Sequence, residues 1–211
     1  MSQQKEERAL DRVYAAATPE QLGKAYSDWA VDYDRDTIAL GYSLPFVIAA
    51  WVARHVPQGA APLLDAGCGT GLSGPFLKAL GYTALAGLDY SPEMLAHAES
   101  RDVYGELKQA ELGRTLPWPD DHFAAFLSSG VFTAGHAPST SFDELVRITR
   151  RGGHAIFTVR DLLLERDGFR AAFQRLEQQG RWRLVEESQP FRAFVLAEPD
   201  VLVKAFVFEI Q

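Results

Sequence analysis

The residues best placed to do chemistry are Asp65-Ala66-Gly67-Cys68-Gly69-Thr70-Gly71, which leave an apolar run over 61–66 and open a helical one. Glycines there let the chain turn sharply and let a ligand approach the backbone with no Cβ in the way. The helix start behind them offers free N–H groups and partial positive charge, suited to a carboxylate or a pyrophosphate. Asp89 stands 20 residues beyond Gly69, at the end of a second apolar run, where a carboxylate can accept both hydroxyls of a ribose. Two cofactors fit this much. Gly69-Thr70-Gly71-Leu72-Ser73-Gly74 satisfies the G-x-G-x-x-G spacing of a dinucleotide site, so an NAD(P)-binding oxidoreductase is the alternative to an S-adenosylmethionine site. Asp65 separates them. An acid at the strand end repels a pyrophosphate but accepts from an ammonium group, and adenosylmethionine carries both an ammonium and a sulfonium.

Asp65-x-Gly67-x-Gly69-x-Gly71 resembles the first motif of class I S-adenosylmethionine-dependent methyltransferases. The resemblance covers about 61–211. It implies an α/β fold with a Rossmann-like, seven-stranded, mostly parallel sheet, one late antiparallel strand and helices on both faces. It also implies that Asp65, Ala66, Gly67, Cys68, Gly69 and Gly71 surround the cofactor, with Cys68 a small filler in the turn and not a nucleophile. Gly87-Leu88-Asp89-Tyr90-Ser91 is similar to the second motif, which places Asp89 on the ribose and Tyr90 beside the adenine, and Met94 is similar to an apolar residue packed nearby. Ala110, Glu111 and Leu112 stand where these enzymes carry an acid after the third strand, often Asp, and Glu111 is the nearest acid here. The acid that commonly follows Phe123 is replaced by Ala124.

The segment 26–34 resembles the N-terminal helix that lids the cofactor in many small-molecule methyltransferases. Trp29 and Tyr33, at i and i+4, share a face. Aromatic rings beside a sulfonium gain about 1 kcal/mol of cation–π attraction, and docking of the helix on the core is the other reading of the same stripe. Ser128 to Thr133 follow the fourth strand, at the open sheet edge where ligands bind, and Ser128 is expected against the cofactor. The Asn/Asp-Pro-Pro-aromatic motif of exocyclic-amine methylation is missing, and pyrimidine C5 methylation needs a cysteine that this loop lacks. Both absences favour a small-molecule acceptor and no nucleic-acid partner. His136, in the loop Gly135-His136-Ala137-Pro138, is the candidate general base. Positioning and desolvation carry much of the rate of an in-line methyl displacement, so a base is not obligatory. With Arg151-Gly152-Gly153, these stretches resemble the methyltransferase-like proteins of the Williams–Beuren syndrome chromosome region. A non-catalytic adenosylmethionine-binding module is the remaining reading.

The elements that must hold these residues follow from periodicity. Leu10, Val13, Tyr14 and Ala17 share one helical face, and Thr18-Pro19-Glu20-Gln21 restarts a helix with Thr18 as N-cap. Leu22, Tyr26, Trp29 and Tyr33 form an aromatic stripe at helical spacing. A further helix over 44–56 stops at Pro57-Gln58-Gly59, which divides an N-terminal helical cap (1–58) from a Rossmann-like core (59–211) within one structural domain. Strands are expected over 61–66, 82–88, 106–110, 123–128 and 154–159, alternating with helices, the last of these over 162–179. Arg151-Gly152-Gly153 is read as the turn into the fifth strand. Two β-rich stretches, 182–187 and 201–210, suggest a hairpin-like finish.

Composition narrows the classes. The 211 residues suffice for one sizeable core, and 23% charged residues with 47% apolar ones are those of an ordinary globular chain. No apolar run is long enough for a bilayer, since 44–56 is short and interrupted by Arg54, so no membrane partner is expected. The polar N-terminus lacks a secretory pattern, and a cytoplasmic location is expected. A single cysteine excludes a disulfide framework or a multi-cysteine zinc site, and no metal is expected. The net charge of −7 disfavours general polyanion binding, and the cluster Arg147, Arg150 and Arg151 falls where a helix C-terminus favours cations.

Overall fold

The computed structural model describes residues 2–16 and 18–211, with side chains from residue 9 onward apart from 17 and 19. Ala17, expected on the first helical face, lies outside the described residues. Eight strands form one sheet: β1 (Leu63–Ala66), β2 (Leu85–Asp89), β3 (Glu106–Gln109), β4 (Phe123–Phe132), β5 (Thr149–Arg160), β6 (Trp182–Glu187), β7 (Phe191–Arg192) and β8 (Leu202–Ile210). The order is β3-β2-β1-β4-β5-β8-β6, with β7 paired to β8. The first five strands run parallel, and β8 runs antiparallel to both β5 and β6. This is the expected seven-strand path with its late antiparallel member, and the two-residue β7 adds an eighth strand. Strand order reverses between β1 and β4, and the crevice above their C-terminal ends is where an open α/β sheet binds its ligand.

Side chains alternate across this sheet, so successive residues enter different cores. Leu63, Ile156 and Val207 point to one face and pack with Ile48 and Val52 of α3 (Leu44–His55) and Leu77 of α4 (Gly74–Ala79). Leu64, Phe157, Phe206 and Phe208 point to the other. There they meet Phe142 of α6 (Ser141–Arg147), Leu163 of α7 (Leu163–Arg166) and Phe173 of α8 (Phe169–Gln178). The helix expected over 162–179 is broken in two, because Gly168 adopts a left-handed φ of 73°. Arg151-Gly152-Gly153 is likewise a bulge inside β5, where the register to β4 jumps from Phe123↔Thr149 to Ala125↔His154. Arg147 and Arg150 are spoken for nearby: Arg147 bonds Glu144 and Asp120, and Arg150 donates to the carbonyls of Ala61, Asp121 and His122.

Above the crevice lie α1 (Ser2–Ala15) and α2 (Pro19–Ala39), and α5 (Pro92–Glu99) follows β2. Thr18 caps α2 by accepting from the Gln21 N–H at 3.2 Å. Buried Leu10, Val13, Leu22 and Trp29 bind α1 to α2. Ser27 of α2 donates to Glu93 of α5 at 2.7 Å. Further along α2, Asp34 accepts from Thr70 at 2.5 Å and pairs with Arg101, clamping the helix to the glycine turn. α3, inside the expected 1–58 cap, lies against β4 and β5 as a sheet-covering helix; its apolar Ile48, Ala49 and Val52 leave it no other place. Its entry is pinned to the strap before β8, where the Ser43 N–H donates to Ala193 and the Val195 N–H to Gly41, both at 2.9 Å. Among the described residues, no helix is long and apolar enough to cross a membrane.

Candidate active site

Asp65 is the penultimate residue of β1 at the strand-order reversal, 2% exposed, with Leu88 and Leu127 buried beside it. Its Oδ2 accepts from the Tyr104 hydroxyl at 2.8 Å. Burial pushes its carboxyl up to about 7, the Tyr104 bond opposes this, and the neighbouring Asp89 adds to it. Among the described residues no cationic side chain pairs with Asp65. A buried acid in that state is a seat for a cation supplied from outside the chain.

Asp89 ends β2, the strand next to β1. One carboxylate oxygen accepts from the Gly69 N–H at 2.8 Å and the other from the Ser91 N–H at 2.9 Å. Burial raises its pKa and these bonds lower it. Each oxygen keeps a lone pair for a diol. The Gly69 bond fixes the turn against β2, and a Cβ on Gly69 (φ +54°) would meet no atom within 4 Å, so the turn leaves its backbone open to close approach. Gly71 is a glycine for another reason: a Cβ there would stand 2.8 Å from the Tyr104 ring and 3.2 Å from Ala98 of α5.

Around these acids runs a cleft of about 230 Å³. Of the residues singled out from sequence, Tyr33, Asp65, Gly67, Cys68, Gly69, Asp89, Tyr90, Met94, Ala110, Glu111, Leu112 and His136 line it. Ala66, Gly71, Ser128 and Trp29 do not. Ser128 is fully buried and donates to the Ala66 carbonyl at 2.7 Å, tying β4 to β1. Trp29 faces a second cavity and donates to Asp36 at 2.9 Å. Burial and nearby Asp65 hold the Cys68 thiol well above its usual range, which makes it inert. Glu111 is exposed at the rim, 3.7 Å from Arg114.

The second cavity, about 500 Å³, lies between α1, α2 and the ends of β4, β5 and β8. Tyr26, Tyr33, Tyr42, Gly130, Gly135 and His136 line both spaces and form their common wall. Within that wall His136 Nδ1 lies 2.9 Å from the Ala134 carbonyl, to which it must donate. Nε2 is then the acceptor, and the Tyr26 hydroxyl donates to it at 2.9 Å. Burial lowers the His136 pKa, which keeps the ring neutral at pH 7 and preserves that arrangement. Tyr26, Tyr42, Asp34, Arg101 and Tyr104 were not singled out as site residues by sequence. Tyr26 had a signal, lying seven residues before Tyr33 on the same helical face; Asp34 lies on the same helix without an apolar pattern to mark it, and Tyr42, Arg101 and Tyr104 come from connections with no local pattern.

Residues 64–157 match the family model described as a methyltransferase domain. Human methyltransferase-like protein 27 is 36% identical over 163 residues, 74% of this chain and 66% of its own length. The 18S rRNA (guanine(1575)-N(7))-methyltransferase of Saccharomyces cerevisiae is 42% identical over 66 residues, 31% of this chain and 24% of its own. The chain thus spans just under two thirds of the human relative and about a quarter of the yeast one. Among solved structures, a Haloferax volcanii complex of the Trm112 methyltransferase activator with a methyltransferase candidate superposes with a TM-score of 0.64. It is 18% identical, and the match covers 88% of this chain and 97% of that one. These findings overturn the expectation of no nucleic-acid partner. The motifs whose absence prompted it serve exocyclic amines and pyrimidine C5, whereas a guanine N7 is a ring lone pair that needs neither.

Proposed function

The chain belongs to the class I S-adenosylmethionine-dependent methyltransferases, and on that premise we propose that it transfers a methyl group from S-adenosylmethionine to a small-molecule acceptor. The observation that carries this reading is the wall of Tyr26, Tyr33, Tyr42 and His136 between two adjoining spaces, one holding the acids and the glycine turn, the other lying between α1, α2 and the sheet. A cavity of about 500 Å³ under two helices matches the roughly 300–1,000 Å³ of small-molecule sites.

When bound, S-adenosylmethionine supplies a methyl already activated by its sulfonium and leaves as S-adenosylhomocysteine. The residues present suit it: Asp65 seats the ammonium, Asp89 takes the ribose hydroxyls, and the glycine turn meets the carboxylate. Tyr90 and Met94 pack at the adenine, with Ala110, Glu111 and Leu112 at its edge. The tyrosines of the wall exclude water and present ring faces to positive charge. His136 serves an acceptor that must lose a proton. Its Nε2 takes the Tyr26 proton while Tyr26 takes that of the acceptor, so the base acts through the phenol.

A methyl-release assay with methyl-labelled S-adenosylmethionine tests this, run in parallel against a low-molecular-weight metabolite fraction and against total RNA. Label in the metabolite fraction is expected. Label in RNA alone overturns the small acceptor, and label in neither, with S-adenosylhomocysteine still bound, reduces the protein to a cofactor-binding module.

A further inference from the structure

The second cavity contains a donor that the reaction above leaves unused. Arg160 closes β5, opposite Val203 of β8, and lines the cavity floor. Its Nε is buried and, among the described residues, has no hydrogen-bond partner. A guanidinium stays charged at every physiological pH, and a buried N–H of such a group without an acceptor is costly. Two residues earlier on the same strand face, Thr158 lines the same floor. Its hydroxyl accepts from the Gly130 N–H at 3.1 Å and still has its own proton to donate. The rest of the lining nearby is apolar, with Trp29, Phe132 and Phe194 prominent.

Two acids also line the space, Glu198 and Asp200 of the strap before β8. Asp200 is exposed and Glu198 partly so, and neither forms an ion pair with Arg160. Solvent screens them, while the Arg160 Nε is shut away from it. Tyr14, at the edge of the cavity, is within electrostatic reach of both Glu198 and Arg160.

We propose that the methyl acceptor carries a carboxylate, held by the Arg160 guanidinium with help from the Thr158 hydroxyl. An apolar body lies against Trp29 and Phe194, and the atom to be methylated faces Tyr26. The planar fork of arginine matches a carboxylate in two parallel bonds, which a neutral amide cannot reproduce. This assignment rests on the methyltransferase reading.

The test is calorimetric, on the full chain saturated with S-adenosylhomocysteine, using three probes of one size and different charge: phenylacetate, phenylacetamide and phenethylamine. Phenylacetate is expected to bind about tenfold or more tightly than the amide, and Arg160→Gln is expected to erase the difference while leaving S-adenosylhomocysteine affinity unchanged. Equal binding of acid and amide, tighter binding of the amine to the Glu198 side, or no millimolar binding by any probe overturns the proposal. The comparison on the unmodified protein needs no variant and decides the sign of the preferred charge by itself. Failure of S-adenosylhomocysteine to bind at the outset counts against the methyltransferase reading instead, so the two failures are distinguishable.

Discussion

Asp65→Asn isolates the cost of burying a carboxyl that has no cationic partner among the described residues. The wild-type carboxyl has a folded-state pKa of about 7 against an ordinary 3.8, so between those values the native state holds a proton that the unfolded state has released. Stability therefore falls as pH rises through that window, and above it the full penalty applies. At about 1.4 kcal/mol per pH unit, the gap of roughly three units amounts to at most about 4 kcal/mol. Asparagine keeps the shape and the oxygen that accepts from Tyr104, but cannot ionise. Urea unfolding is expected to show the variant more stable than wild type at about pH 8, and equal to it at about pH 4. Binding runs the opposite way. An ammonium ligand needs the carboxylate, so wild-type affinity for S-adenosylhomocysteine should fall up to about tenfold per pH unit below about 7 from this group, and the variant should lose that slope. A variant no more stable at the higher pH, or a wild-type affinity flat across the range, refutes the reasoning.

Four further outcomes follow from the same geometry. Tyr26→Phe and His136→Asn should each lower kcat by about a hundredfold for an acceptor that loses a proton; in wild type, activity should hold above neutrality and fall in acid as His136 protonates. Full turnover in His136→Asn rules the base out. Arg101→Ala releases one arm of the Asp34 clamp, and a loss of about tenfold in S-adenosylhomocysteine affinity, read by calorimetry, is expected as α2 loosens over the turn. Trp29→Ala should raise the acceptor KM more than it weakens cofactor binding, because its ring faces the second cavity; the reverse order would put it in the cofactor site. Phe157→Ala empties the centre of the larger core, where the ring lies 4.6 Å from Phe142, and should cost about 3–5 kcal/mol in urea unfolding.

The cofactor side was legible because its parts are local. Asp65 to Gly71 are consecutive, and Asp89 ends the strand whose register to β1 places Asp65 opposite Gly87. One parallel pairing therefore brings both acids to the same crevice. What escaped the sequence lies where tertiary contacts override local pattern. Tyr104 reaches Asp65 from the connection into β3, across 39 positions, and Arg101 reaches Asp34 across 67. The break at Gly168 was hidden because Leu163, Leu164, Phe169 and Phe173 all enter one core, so apolar periodicity runs on across a helix end. Arg151-Gly152-Gly153 reads as a turn and forms a bulge because a left-handed glycine (φ 75°) serves either purpose.

The acceptor side was hidden for a deeper reason. Its walls come from the consecutive helices α1 and α2 and from the end of β4, the end of β5 and the strap before β8, each far from the others in sequence. Trp29 and Tyr33 show how this defeats pattern reading. They are four residues apart on one helical face, with ring centroids 4.8 Å apart, yet Tyr33 lines both spaces while Trp29 lines only the second. Helical spacing shows that two side chains point the same way, but not which of two adjoining cavities each meets. Arg160 is a stronger case, since within β5 it reads as the polar end of a strand. What distinguishes it is that its buried Nε has no hydrogen-bond partner among the described residues, a property visible only once the strap and α1 are in place. A glycine turn thus announces the cofactor from a single segment, whereas the acceptor must be inferred from an unmet hydrogen bond.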